Sequence, residues 1–201
     1  MYYLLLQYFY RSNEFEYFVL TYFRKRSCLE NYVSFEANDT WYKEHPLSNL
    51  YNFDPKKFWA SYHNLENQYV ILKLTSHSLV LKNYTIIQYI GTGDILKQWS
   101  LLGSNDNITW DEIDNQQSDL FCKVGPTKTI SINENSWKSY SMFKIIQTGY
   151  NCMNRYFMRM SGIELFGDLR SSIVENNINS CKKHLFFNNE IFFTLIILKT
   201  S

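Results

Sequence analysis

Apolar and polar residues alternate with a period of two along the middle of this chain. Val70, Leu72 and Leu74 share one face of such a segment, and Phe143 and Ile145 share one face of another. A period of two is typical of a half-buried β-strand. Further short apolar runs that predict strands lie at Val33–Phe35, Tyr84–Tyr89, Thr127–Ile132, Phe157–Met160 and Ile163–Phe166.

Turn-forming residues separate these runs. They include Gly91, Gly93, Gly125-Pro126, Asn133 to Ser136, and Gly149, all of residue types that favour turns. No helical repeat competes with them, and strands do not alternate with helices. The pattern therefore predicts an all-β protein, built as an antiparallel sandwich or barrel.

One stretch, WSLLGSNDNITWDEID (Trp99 to Asp114), predicts a β-hairpin. Ser104 to Asn107 supply the turn, because Asn and Asp hydrogen-bond their own main chain and tolerate left-handed backbone. Trp110 is expected to open the returning strand. We assign Trp59, Trp99 and Trp110 to the core.

Composition supports one domain of ordinary size with a tail on each side. Aromatic residues make up 18% of the 201 residues, which suits half-buried sheets and a sizeable core. We expect an extension at residues 1–30, a β-sandwich at 31–170, and an Asn-rich linker with an apolar tail at 171–201. The sequence of residues 1–30 favours an amphipathic helix or the end of a preceding domain. It lacks a signal-peptide pattern, and the uninterrupted apolar runs of both tails are too short for a transmembrane helix.

Charge and motifs exclude several functions. The net charge is only +1 and basic residues are not clustered, so a nucleic-acid partner is not expected. No nucleophile elbow, HExxH, P-loop or GxGxxG motif is present, and we predict no catalysis. The four cysteines lack zinc-site spacing, and their low density favours four free thiols in a reducing compartment.

The region from about Tyr32 to Leu169 resembles the discoidin family, also called the coagulation factor 5/8 type C domain. The resemblance rests on six segments in the family's order: VSFEANDTWYKEHPLSNLYNFD, FWASYHNLENQYVILKL, LVLKNYTIIQY, WSLLGSNDNITWDEID, YSMFKIIQTGYN and MSGIELFG. It implies a jelly-roll β-sandwich of the galactose-binding-like superfold. It also implies a non-catalytic module that binds through loops at one end.

Carried onto this chain, the resemblance gives a set of candidate ligand contacts in four loops. They are Trp41, Tyr42, Tyr62, His63, Asn64, Asp94 and Arg155. An aromatic pair in a polar loop can stack on a sugar or enter a lipid interface. Trp41 folding back onto the sandwich, and His63 serving as an ordinary loop residue, remain open alternatives.

Some relatives hold calcium near these loops, for which Asn38, Asp39 and Asp54 offer oxygen ligands. The family's terminal disulfide is absent, because Asp168 follows Gly167 and Cys28 lies several residues early. This favours an intracellular protein. The loops have no basic excess, which disfavours anionic lipid.

Two functions remain open. The first is a binding module for a glycan or a protein partner. The second is a structural or adaptor fragment of a larger interaction protein, with no small-ligand site.

Overall fold

The computed structural model describes residues 17–25, 27–41, 43–91, 93–117, 122 and 127–171. The expectations for residues 1–16, for the tail after Ser171 and for Tyr42 lie outside these ranges. The described residues form two short helices, α1 (Val19–Lys25) and α2 (Leu29–Tyr32), with 3₁₀ turns at Leu47–Tyr51 and Glu134–Ser136. The strands are β1 (Tyr17–Phe18), β2 (Val33–Ala37), β3 (Trp59–Ala60), β4 (Tyr69–Leu74), β5 (His77–Ile87), β6 (Gln98–Ser104), β7 (Asp111–Gln117), β8 (Thr127–Ser131), β9 (Ser139–Tyr140), β10 (Met142–Gln147), β11 (Arg159–Met160) and β12 (Gly162–Ser171).

The strands form two antiparallel sheets and one short pair. The first sheet has the order β1-β12-β5-β8, with β9 also paired to β5. The second has the order β2-β4-β10-β6-β7, and β3 pairs with β11. The predicted antiparallel β-sandwich is confirmed.

Alternating side chains of both sheets form one core. In the second sheet, Leu72, Leu101 and Phe143 are buried and belong to this core, as the period of two predicts. Trp59 and Trp99 are completely buried, as expected from the sequence. The indole Nε1–H of Trp59 donates to Thr40 Oγ1 at 3.1 Å, so its polar atom is satisfied.

The predicted hairpin is present as β6 and β7. Asp106 Oδ1 accepts hydrogen bonds from the backbone nitrogens of Ile108 and Thr109, each at 2.8 Å, and Asn107 has a left-handed φ of 62°. The turn thus uses the chemistry expected from Asn and Asp.

The core assignment of Trp110 was wrong. Trp110 precedes β7 and is only half-buried, with the Lys144 ammonium 3.8 Å from its ring centroid. Trp110 packs on the outer face of the second sheet. Successive residues of a strand point to opposite faces, so an error of one position moves a side chain from the core to the outer face.

Two glycines of the motifs are required by close packing. A Cβ at Gly167 would lie 2.0 Å from the carbonyl oxygen of Val80, beside an irregularity in the pairing of β12 with β5. A Cβ at Gly103 would lie 2.4 Å from the ring of Tyr140. These positions explain the glycines in SGIELFG and WSLLGS.

The segment before residue 31 contributes to the same core. Val19, Leu20 and Phe23 of α1 are buried, and Tyr17 and Phe18 pair with β12. The described part of the N-terminal extension therefore packs on this sandwich. Among the residues the structure describes, no helix has the length and apolar character needed to cross a membrane.

Candidate functional site

Four connections that the structure describes over most of their length leave one end of the sandwich, which we call the loop end. They span residues 38–58, 61–68, 88–97 and 148–158. Strand register brings them together, since the pairs nearest this end are Ala37 with Val70, Ile146 with Tyr69, Gln147 with Trp99, and Gly162 with Ile87. Loops grouped on a rigid scaffold are a common place for binding residues.

Hydrogen bonds join these connections to one another. The bonds are His63 N to Asp39 Oδ2 at 2.6 Å, Tyr156 N to Asn64 Oδ1 at 2.7 Å, Cys152 N to the Ile95 carbonyl at 3.0 Å, and Ile90 N to the Pro55 carbonyl at 3.0 Å. The loop end is therefore one connected surface.

Three buried glutamines hold the base of this surface. Gln68, Gln88 and Gln147 lie next to the ends of β4, β5 and β10, and each is at most 3% exposed. Each donates its side-chain amide to a loop carbonyl, at His63 (3.1 Å), Leu96 (3.3 Å) and Gly149 (2.9 Å) respectively. These bonds hold the main chain of three loops, whereas the three side-chain oxygens are buried without a hydrogen-bond partner among the described residues. Sequence analysis did not identify this role, because nothing distinguishes these glutamines from surface ones.

An aromatic surface occupies one side of the loop end. Trp41 is 37% exposed and Tyr62 is 56% exposed, and their rings meet edge to face with centroids 6.1 Å apart. The exposed His63 ring lies 4.7 Å from Tyr62. Its backbone N–H donates to Asp39 Oδ2 at 2.6 Å. The structure thus brings Trp41, Tyr62 and His63 together, as the resemblance implies.

A stack of rings supports Trp41 from below. His45 lies 5.1 Å from the Trp41 ring and stacks on Phe58 at 3.8 Å, and Phe58 in turn contacts Tyr89 at 4.3 Å. Burial lowers the pKa of His45, and the Arg159 charge lowers it further, although Glu44 opposes both. His45 is therefore neutral at pH 7, able both to donate and to accept a hydrogen bond.

Asp94 anchors a cluster of basic groups beside this stack. The residue is only 4% exposed, and its oxygens lie 3.0 Å from Arg155 Nη2 and 3.2 Å from Arg159 Nη2. Asn151 Nδ2 donates to it at 2.8 Å. The Arg159 guanidinium also covers the Phe58 ring at 4.6 Å. Asp94 was expected on the exposed rim, whereas it lies beneath it and positions the arginines.

A second pair of rings lies across the 61–68 connection. Tyr150, 48% exposed, has its ring centroid 4.6 Å from that of Tyr156. Hydrogen bonds to Glu66, and then to Tyr150, raise the pKa of Tyr156. Asn64, predicted as a ligand contact, uses its side-chain oxygen to hold the backbone of Tyr156. The Tyr150–Tyr156 pair was missed because its residues lie six apart in a loop without periodicity.

A disulfide ties the 148–158 connection to the segment between β7 and β8. Cys122 and Cys152 are bonded, with their Cα atoms 5.6 Å apart. The expectation of four free thiols was therefore wrong. The two cysteines meet because both β7 and β10 finish at the loop end, which cysteine spacing cannot reveal. The argument for a reducing compartment rested on free thiols, and this disulfide therefore takes away its basis. Cys28 is buried without a disulfide, and Cys181 lies outside the described residues.

The calcium candidates have other partners. Asn38 Oδ1 accepts from Tyr69 N at 2.9 Å, Asp39 binds His63, and Asp54 Oδ1 accepts from Lys56 N at 3.0 Å. Within the described ranges, no group of three or more His, Cys, Asp or Glu side chains is arranged to hold a metal ion.

A cavity of about 340 Å³ lies elsewhere, where α1 and α2 meet the first 3₁₀ turn. Arg24, Cys28, Glu30 and Tyr51 contribute to its walls. Arg24 is already used there, because it donates to the Asn52 carbonyl at 3.4 Å and covers the Phe53 ring at 4.6 Å. The loop end, with its exposed rings and polar groups, is the better candidate site.

No family model matches the sequence, and no curated protein matches it significantly. Solved structures do match the fold. The family 32 carbohydrate-binding module of Clostridium perfringens NanJ, in complex with galactose, has a TM-score of 0.55 and 11% identity, covering 67% of this chain and 93% of that one. The module CBM32-3 from a family 31 glycoside hydrolase of Clostridium perfringens has a TM-score of 0.57 and 11% identity, with coverage of 69% and 92%.

A third match is CpGH89CBM32-5 from Clostridium perfringens, in complex with GalNAc-β-1,3-galactose. It has a TM-score of 0.53 and 17% identity, and the alignment covers 67% of this chain and 95% of that one. At these identities the likeness concerns the fold. This chain has the galactose-binding-like jelly-roll β-sandwich that these carbohydrate-binding modules share.

Proposed function

We propose that this protein is a non-catalytic glycan-binding module of the discoidin type, and that it binds through the loop end. The observation that carries the proposal is the exposed Trp41–Tyr62 pair, with His63 at its edge. Aromatic rings offer apolar faces to the C–H faces of sugars, and adjacent polar groups fix orientation by hydrogen bonding.

The polar groups around the pair suit a polyol. His63, the neutral His45 and Arg159, which covers the Phe58 ring under His45, provide donors and acceptors near Trp41 and Tyr62. Uncharged sugar hydroxyls satisfy both kinds of group without the cost of burying an unpaired charge. The fold supports the proposal as well, since matched modules are described in complex with galactose, with GalNAc-β-1,3-galactose and with 4,5-unsaturated mannuronic acid.

The charge of the loop end favours a glycan over an anionic membrane. Its connections and the adjoining Arg159 carry six basic and five acidic residues, namely Lys43, Lys56, Lys57, Lys97, Arg155 and Arg159 against Asp39, Glu44, Asp54, Glu66 and Asp94. Attraction to anionic lipid needs a clear basic excess. This balance supports a neutral or weakly charged ligand.

A glycan microarray tests the proposal, with wild type compared with Trp41→Ala, Tyr62→Ala and Trp137→Ala. Trp137 is the matched control, because it is 39% exposed and lies near β9, away from the loop end. We expect wild type and the control to bind the same glycans. The Trp41 and Tyr62 variants should lose binding by tenfold or more, about 1.4 kcal/mol. Equal binding by all four proteins, or none by wild type, would contradict the proposal.

A further inference from the structure

The loop end carries two aromatic pairs, each with at least one exposed ring, that meet one short connection a few residues apart. The Trp41–Tyr62 pair contacts the connection at Tyr62, and the Tyr150–Tyr156 pair contacts it at Asn64 and Glu66. Tyr62 and Asn64 are two residues apart, which limits their Cα separation to about 7 Å. The two pairs therefore meet the connection at neighbouring positions, next to the dipeptide His63-Asn64.

Both sides of this dipeptide are held in place. On the Trp41 side, Asp39 accepts the backbone N–H of His63 at 2.6 Å. On the other side, the Asn64 side chain accepts the backbone N–H of Tyr156 at 2.7 Å. Gln68 binds the His63 carbonyl from below at 3.1 Å. The relative position of the two aromatic pairs is thus fixed before any ligand arrives.

The Tyr150–Tyr156 pair is also anchored from its own loop. Asn151 is fully buried, and its side-chain oxygen accepts the backbone N–H groups of Met153 and Arg155 at 2.9 and 3.0 Å. Its amide donates to Asp94 and to the Phe157 carbonyl. The next residue, Cys152, is bonded to Cys122. Tyr150 therefore projects from an anchored point of the loop, with about half of its surface exposed.

We propose that the two aromatic pairs form two sugar subsites, so that the ligand is an oligosaccharide of at least two residues. The proposal rests on the glycan-binding function above. One pyranose ring covers about one aromatic side chain, so a monosaccharide on Trp41 leaves Tyr150 empty. A longer glycan that crosses His63-Asn64 contacts both pairs.

The chemistry of the second subsite selects a neutral sugar. Glu66 hydrogen-bonds the Tyr156 hydroxyl and is itself exposed, so its carboxylate accepts from sugar hydroxyls. The same charge repels the carboxylate of a uronic or sialic acid. An acidic residue is therefore excluded from the Tyr150 side. The Trp41 side, where Arg159 covers the Phe58 ring of the stack, carries no such restriction.

The dependence of binding affinity on the length of the oligosaccharide tests this proposal. The probes are galactose, GalNAc-β-1,3-galactose and β-1,4-linked galactotetraose, together with mono- and tetrasaccharides of glucose, mannose and galacturonic acid, all on one array and then in titration calorimetry. We expect wild type to bind the best tetrasaccharide about tenfold more tightly than its monosaccharide, about 1.4 kcal/mol. Tyr150→Ala should remove this gain and leave monosaccharide binding unchanged, whereas Trp41→Ala should weaken both.

Tyr150→Phe and Glu66→Gln complete the design. Tyr150→Phe retains the ring and should keep most of the gain. Glu66→Gln removes the charge and should raise the affinity for galacturonic tetrasaccharide relative to the neutral one. Equal affinities of wild type for mono- and tetrasaccharides, or a Tyr150→Ala variant with the full gain, would overturn the two-subsite proposal alone. Absence of any glycan binding by wild type would overturn the proposed function as well.

Discussion

The backbone nitrogen of Leu20 donates a 2.8 Å hydrogen bond to the buried carboxylate of Glu164. The same carboxylate accepts from the backbone and hydroxyl of Thr21, at 3.0 and 2.7 Å. Glu164 lies in the middle of β12 and is 5% exposed. A strand of the sandwich thus satisfies the unpaired N–H groups at the start of α1, which fixes the N-terminal segment to the core.

We predict that Glu164→Gln destabilises the fold by about 1–3 kcal/mol, because the amide nitrogen of Gln cannot accept the bonds from Thr21. Urea unfolding followed by tryptophan fluorescence measures the change. Glu36→Gln, at an exposed salt bridge with Lys73, is the control and should cost ~0–1 kcal/mol. Equal stabilities of the two variants would contradict the role assigned to Glu164.

Glu164 should also give the stability a distinctive pH dependence. Burial raises its pKa, although hydrogen bonds from Thr21, Leu20 and Leu165 oppose the shift. The folded state therefore favours the protonated carboxyl. Its stabilisation is complete below the unfolded-state pKa of about 4.3, and is lost as pH rises through the higher folded-state pKa. The difference in unfolding free energy between wild type and Glu164→Gln should narrow from pH 4 to pH 8. A constant difference would contradict this.

Tyr84 connects two parts of the molecule through its hydroxyl. The group donates to Asp114 Oδ2 at 2.6 Å and accepts from the buried Trp99 Nε1 at 3.0 Å. Tyr84→Phe removes both the acceptor of the indole N–H and the bond to Asp114, and we expect a loss of about 1–3 kcal/mol. Tyr140→Phe is the matched control. The Tyr140 hydroxyl donates to Asp111, which lies on β7 like Asp114, but among the described residues no counterpart of the buried Trp99 indole N–H donates to it. The Tyr140 variant should lose less in chemical unfolding; a larger loss would count against the bridge.

Asp94 should contribute to the stability of the fold. Asp94→Asn leaves Arg155 and Arg159 without their shared carboxylate. Since Arg155 is 43% exposed, we expect a loss of about 1–3 kcal/mol, below that of a fully buried pair. Asp168→Asn, at the surface contact with Lys82, serves as the control. Thermal and urea unfolding should separate the two variants clearly, and similar small losses would refute an anchoring role for Asp94.

The disulfide between Cys122 and Cys152 should stabilise the protein. It closes a loop of 30 residues, for which the chain-entropy relation gives about 3–4 kcal/mol. Dithiothreitol should lower the melting temperature of wild type but not that of the Cys122→Ser/Cys152→Ser variant. Under denaturing conditions, a thiol assay should find two additional thiols in wild type after reduction. An unchanged thiol count would show that the bond does not form.

Much of the fold was predictable from the sequence, since alternation marks strands directly. The 69–74 and 142–146 segments lie in β4 and β10, and the Ser104–Asn107 turn joins β6 to β7. The prediction that Trp110 lies in the core was wrong, because Trp110 stands at a strand boundary. There the alternation of apolar and polar residues does not yet determine which face of the sheet a side chain occupies. The Cys122–Cys152 disulfide was not predicted, because its formation depends on which strands finish at the same end of the sandwich.

The candidate site was predictable only in part. Exposed aromatics in polar loops were visible in the sequence as Trp41 and Tyr62. Arg159 and His45 were not, because their positions beside Phe58 arise from contacts between distant segments. Burial of Asp94 is likewise a property of the assembled loops, and a charged residue in a loop carries no signal of it.

The three buried glutamines have a consequence for how this module diversifies. Gln68, Gln88 and Gln147 donate their side-chain amides to main-chain carbonyls of the loops. Replacing Trp41, Tyr62 or Tyr150 therefore leaves the attachment of the loops unchanged. Surface chemistry and loop geometry are separately encoded, so the exposed side chains of this end can be replaced one substitution at a time without a loss of folding.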